Sequence, residues 1–176
     1  MAAAGAALLV GSLLSACSPL SDGPAICAAD QLTATVHGDQ HDNTSIYRVV
    51  TVRDQGPACL LPKQSTVSMT AAGQRLGRPG SYDPYGSGGS DATGQQRPKR
   101  AIALPHRGTA SMSVIIALAD STRCDRDPVD ALHVQLSGSA AISAAVPPHD
   151  RPHSLICDQR SSSVMSFGRW VPGAGA

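Results

Sequence analysis

From Leu32 onward, apolar and polar residues recur with a period of two rather than 3.6. Leu32, Ala34 and Val36 alternate with Thr33, Thr35 and His37, and Val67 and Met69 alternate with Thr66, Ser68 and Thr70. Successive side chains of an extended strand point to opposite faces, so each run predicts a half-buried β-strand. In the clearest run Met112, Val114, Ile116 and Leu118 face one way, with Ile115 the one large residue opposite. Leu132, Val134 and Leu136 repeat the pattern, as do Ile142, Ala144 and Val146. Residues 45–53 are denser in apolar and β-branched side chains, which predicts a central strand covered on both faces. Shorter runs at 101–104, 155–157 and 164–167 bring the total to about nine candidate strands.

Turn chemistry separates the runs. Asp54-Gln55-Gly56-Pro57, Leu61-Pro62, Pro105-His106-Arg107-Gly108, Asp127-Pro128 and Pro147-Pro148 each stop a ladder through a missing N–H or a permitted positive φ. No stretch after the first residues offers a capped helix of three turns. The expected fold is all-β, an antiparallel, immunoglobulin-like β-sandwich. Residues 73–100, with Tyr82, Tyr85 and the run Gly86-Ser87-Gly88-Gly89-Ser90, are too long for an ordinary hairpin. They are expected to be a flexible insertion that folding does not need, or a binding loop with two Tyr anchors.

The first residues obey a different pattern. Residues 1–14 are uncharged and almost wholly apolar, ending at Ser15-Ala16-Cys17 and then Ser18-Pro19. A spanning helix needs about 20 apolar residues, so this stretch reads as a cleaved signal peptide of residues 1–16. Leu14-Ser15-Ala16-Cys17 matches the lipobox of bacterial lipoprotein precursors. Small residues before the cysteine let the signal peptidase fit the chain beside the bilayer. Cys17 is therefore the expected lipidation site and mature N-terminus, held by two or three palmitate-type acyl chains, each buried methylene contributing about 0.8 kcal/mol. The Lys or Arg usual before the apolar run is missing, which leaves the translation start open. Residues 17–26 read as a tether, 27–172 as one domain and 173–176 as a tail.

Composition narrows the partners. The net charge is +1 and aromatics make up 3% of residues, so a basic, aromatic-studded nucleic-acid surface is not expected. Abundant Ala, Gly and Pro, with Arg exceeding Lys, fit a GC-rich, actinobacterial genome. After Cys17, four cysteines remain: Cys27, Cys59, Cys124 and Cys157. An even count in an exported chain reads as two disulfides, since C-x-x-C metal pairs are absent. Three connectivities are possible. The preferred one, Cys27–Cys59 with Cys124–Cys157, clips the domain near each end, each closure contributing roughly 3–4 kcal/mol.

Several of these segments resemble an actinobacterial secreted family known as domain of unknown function 4232, in order and spacing across roughly 27–172. Cys27-Ala28-Ala29-Asp30-Gln31-Leu32 looks like its opening cysteine and first strand, and Pro57-Ala58-Cys59-Leu60-Leu61-Pro62 like its second cysteine and following turn. Residues 102–110, Cys124, Leu132 to Leu136 with Pro147-Pro148, and Leu155-Ile156-Cys157 are similar to the remainder. The family's usual Gly-x-Pro after the second cysteine is replaced by Pro62-Lys63-Gln64. The resemblance implies an immunoglobulin-like sandwich and a cell-envelope address, but no activity.

Little in the chain points to reaction chemistry. His37-Gly38-Asp39-Gln40-His41-Asp42 is the densest set of metal-ligand types. His37 and His41 are weak candidates for zinc or copper, since that spacing suits a helix and this segment reads as strand end and turn. Asp120, Asp125, Asp127 and Asp130 lack calcium-loop spacing and are interrupted by Arg123 and Arg126, so they read as a charged turn. His149 and His153 are expected in a surface loop. Gly-x-Ser-x-Gly, Ser-x-x-Lys and His-Glu-x-x-His are all absent, and Gly86 to Gly89 lies between neither strand nor helix of a phosphate loop. The expectation is a noncatalytic, lipid-anchored module on the extracytoplasmic face of the cell membrane, without cofactor, contacting an envelope protein, a cell-wall polymer or a small ligand. The alternatives are a copper- or zinc-handling lipoprotein and, third, an envelope hydrolase.

Overall fold

The computed structural model describes residues 24–38, 40–42, 44–62, 65–76, 78–82, 101–117, 126–151, 155–157 and 165–174. In chain order its strands begin with β1 (Leu32–His37), β2 (Ser45–Asp54), β3 (Cys59–Leu61), β4 (Ser65–Ala71) and β5 (Gln74–Leu76). They continue with β6 (Ser81–Tyr82), β7 (Ile102–Leu104), β8 (Thr109–Ala117), β9 (Arg126–Pro128) and β10 (Ala131–Leu136). The last are β11 (Ala141–Ala145), β12 (Leu155–Cys157), β13 (Met165–Phe167) and β14 (Val171–Pro172). A 3-10 turn at Ala29–Gln31 precedes the first strand.

Two sheets form the layers. The larger runs β1-β2-β8-β13-β6, with β14 also on β8, and the smaller runs β11-β10-β4-β5. Small two-stranded ladders join β3 to β7 and β9 to β12. All pairs are antiparallel except β6 with β13, which is parallel. The chain is thus an antiparallel β-sandwich, its long strands where the alternation placed them.

Inward faces follow the same period. Ile46, Val50 and Val52 of β2 and Met112, Val114 and Ile116 of β8 are buried, facing Val67 and Met69 of β4 and Leu132, Val134 and Leu136 of β10. Full burial of such a side chain stabilises by about 1.5–3 kcal/mol. Ile115 takes the opposite face, half-buried and paired with Tyr47. Strand β2 is central, between β1 and β8, but its second face is covered only in part: Thr51 is buried, Val49 half-buried and Arg53 exposed.

Four boundaries differ from expectation. The domain begins ahead of Cys27, because Leu60 N–H donates to Ala25 O at 2.8 Å and Ile26 bridges to Leu60. It also runs past Pro172, since Gly173 N–H donates to Thr109 O and Thr51 Oγ1 donates to Ala174 O, both at 2.9 Å. The segment after Ala71 is not simply an insertion: β5 completes a hairpin with β4, Leu76 is 2% exposed, and β6 pairs with β13. Asp127-Pro128 belongs to β9 rather than to a turn. Residues 83–100, with Tyr85 and the Gly86 to Gly89 run, lie outside the described residues.

Cys27 and Cys59 form a disulfide with their Cα atoms 4.9 Å apart, locking the chain entry to β3. Cys124 lies outside the described residues, as does the side chain of Cys157. Strands β9 and β12 pair with Cys157 opposite Arg126, two residues along the chain from Cys124.

Two buried charges belong to β2, Arg48 within it and Asp54 at its end. Arg48 is 2% exposed on the inward face, with its guanidinium donating to Gly38 O and, at 3.4 Å, to Asp150 O. It ties the β1–β2 hairpin to the loop after β11. Asp54 is fully buried: Oδ1 accepts from Gly56 N–H at 2.9 Å and from the Gln31 amide at 3.2 Å, whereas Oδ2 has no partner among the described residues.

Candidate functional site

The polar segment that carries the weak metal candidates His37 and His41 makes a turn held by its own hydrogen bonds. Tyr47 N–H donates to Gln40 O at 2.8 Å and Asp42 N–H to Ser45 O at 2.9 Å, so the β1–β2 ladder continues into the segment. Asp42 Oδ1 accepts from the Thr44 N–H and hydroxyl and from Ser45 N–H at 2.7–2.8 Å, while Oδ2 accepts from the Tyr47 hydroxyl at 3.0 Å. Those bonds, the Thr44 hydroxyl foremost, pull the carboxyl down to a pKa of about 2. His37 Nε2 lies 2.8 Å from Thr35 Oγ1, and His41 bridges to Ile46. Asp39 is outside the described residues. No group of three or more His, Cys, Asp or Glu side chains that could hold a metal occurs among the described residues.

Of the acidic set at 120–130, Asp120 and Asp125 lie outside the described residues and the backbone of Asp127 is in β9. Of the late histidines, His149 is exposed with Nε2 3.1 Å from the buried Asp150 carboxylate, and His153 lies outside the described residues.

A different part of the chain makes a recess. The outward faces of β4, β10 and β5 line a groove of about 420 Å³ with Thr66, Ser68, Thr70, Arg75, His133 and Gln135. Pro79 and Ala141 close its sides. Volumes of about 300–1,000 Å³ are usual for small-molecule sites. Register assembles it: Ser68 pairs with His133, Thr66 with Gln135 and Thr70 with Arg75. Because Val67, Met69, Leu132 and Val134 must face the core, the intervening polar residues are obliged to share the other face.

Asp130 organises this face. Its Oδ1 accepts from the Thr70 hydroxyl at 2.6 Å and its Oδ2 from Gly73 N–H at 3.1 Å. The Thr70 hydroxyl bond, with help from Gly73 N–H and the Arg151 charge, holds the Asp130 carboxyl below its usual range despite some burial. The Gly73 contact braces the two-residue turn of the β4–β5 hairpin, where Ala72 and Gly73 have φ of 47° and 75°. Both central residues at positive φ make the turn match the strand twist, a conformation glycine accepts readily and alanine does not. Arg75 is carried on that hairpin.

The chain of hydrogen bonds sets a tautomer. Thr70 spends its one hydroxyl proton on Asp130, so across the 3.1 Å contact with His133 it must accept. Nε2 of His133 carries the proton, and Nδ1 is left without a partner among the described residues. Ser68, only 9% exposed as a residue, lines the groove with its hydroxyl open to the recess rather than sealed in the protein. Gln135 gives its amide N–H groups to Leu136 O and Ser139 O of the following turn. Gly80 lets the groove's edge close up: its N–H donates to Val67 O at 2.7 Å, and a Cβ there would stand 3.0 Å from Met165 O.

Sequence reasoning placed Thr66, Ser68 and Thr70 on an outward face but missed the groove, because the partnership of β4 with β10 is not written in either strand alone. The molecule is of the disulfide-clamped β-sandwich class, with a polar recess on the outside of its smaller sheet. A scan against family models, a search of curated proteins and a search of solved structures each return no match.

Proposed function

We propose that the chain is a noncatalytic binding module of the cell envelope, exported, lipid-anchored through Cys17 and presenting the β4–β10 groove to a polar ligand. The groove carries the reading: a recess of small-ligand size lined by the hydroxyls of Thr66 and Ser68, which can exchange water for a ligand. The order of apolar run, small pair, Cys17 and polar tether supports the address, and the Cys27–Cys59 disulfide suits an oxidising compartment. Kinship with the domain of unknown function 4232 family belongs to the same proposal. So does a second disulfide, Cys124–Cys157, which fits the β9–β12 register. Among the described residues no helix is long and apolar enough to cross a membrane.

Two measurements test it. Replacing Cys17 with Ala should move the protein from the detergent phase to the aqueous phase on partitioning; equal partitioning removes the anchor. A photo-crosslinking residue at exposed Thr66 should capture an envelope component in intact cells that the same residue at exposed Thr33, on the larger sheet, does not. Equal capture at both positions removes the groove as the binding face.

A further inference from the structure

We propose that the groove is an oxyanion site, taking a small polyhydroxylated ligand by its carboxylate or phosphate group between Arg75 and Ser68. This deepens the reading of the groove as the binding face and rests on it. The charge arrangement leads there. Among the described residues, Arg75 is the one always-ionised side chain lining the recess, and no carboxylate lines it. The Asp130 carboxylate already accepts on both oxygens, from Thr70 and Gly73. A guanidinium offers a planar fork of donors that matches two oxygens of a carboxylate or phosphate.

The remaining lining groups suit the rest of such a ligand. Ser68, nine-tenths buried as a residue, presents its hydroxyl to the recess, able to donate to the anion or accept from a ligand hydroxyl. Thr66 adds a second hydroxyl at the exposed rim. Gln135 has both amide contacts directed to the 136–139 turn, so its carbonyl oxygen is the part left to accept from a ligand hydroxyl. None of the described lining residues is aromatic, so hydrogen bonds and charge are what they offer a ligand. The hairpin carrying Arg75 is braced by Asp130 through the Gly73 N–H, so the backbone that presents the cation is set before any ligand arrives.

The test uses the full-length protein in detergent, titrated at low ionic strength with sodium glucuronate, sn-glycerol 3-phosphate and, as the neutral probe, glucose, with amide resonances followed by NMR. One or both anions should perturb Ser68, Arg75 and His133, and Arg75→Gln should weaken that binding at least tenfold while the spectrum elsewhere stays unchanged. Which anion binds decides between a carboxylate and a phosphate ligand. Glucose binding as tightly as the anions, or Arg75→Gln binding as wild type, overturns the oxyanion site but leaves the groove as the ligand face. Silence of these resonances to all three probes overturns the oxyanion site as well, and the Thr66 crosslink then decides the groove separately.

Discussion

At the scale of single residues, the carboxylates show how one side chain type serves different ends. Asp42 is a turn-former whose four accepted hydrogen bonds stabilise the ionised state. Its pKa falls from 3.8 to about 2, so the stabilisation it gives is complete above the ordinary value and is lost as pH drops from there through about 2. A carboxyl-carbon NMR titration should put its midpoint near 2, with the Thr44 and Ser45 amides shifting in step; a midpoint near 3.8 would show that the turn does not form. Asp54 is a second case, buried with one oxygen lacking a partner among the described residues, and Asp130 a third, both oxygens used to arrange its neighbours. None of these roles is marked in the sequence. An Asp before Thr-Ser or Gly hints at a side chain bonding its own turn, but Asp130 finds Thr70 60 residues away.

At the scale of elements, legibility tracks length. Strands β1, β2, β4, β8, β10 and β11 run five to ten residues and show their period openly. Strands β3, β5, β6, β9 and β14 have two or three residues, too few to display any period; β5 and β14 form on the edges of the longer β4 and β8, while β3 and β9 pair with the equally short β7 and β12. Leu76 is the instructive residue. Read as part of a dispensable insertion, it is instead a core side chain paired with Met69. Leu76→Ala should cost about 2–5 kcal/mol, the range for buried leucine truncations, measurable as a lowered urea midpoint. An unchanged midpoint would return the β5 hairpin to the periphery. The groove was half visible: its hydroxyls on β4 follow from alternation, but Arg75 and His133 join them only through registers that no local pattern encodes.

At the scale of the whole molecule, the Cys27–Cys59 crosslink spans 32 residues and ties the chain entry to β3, with β1 and β2 lying inside the loop. Closing a loop of that length removes about 3–4 kcal/mol of unfolded-state freedom in the chain-entropy model. The Cys27→Ala, Cys59→Ala double variant should lose stability of that order in denaturant titration while still folding, because the two sheets share a continuous core. A loss well under 1 kcal/mol would mean that the unfolded chain is already constrained there.

The chain has one tryptophan, and the fold places it usefully. Trp170 is 4% exposed between β13 and β14 of the larger sheet, and its indole N–H donates at 3.0 Å to Ser65 Oγ, the first residue of β4 in the smaller one. The protein therefore carries its own optical gauge. Emission from that lone indole reddens when water reaches the seam between the layers, so parting of the sheets can be timed without any label, and separately from loss of strand content seen by circular dichroism.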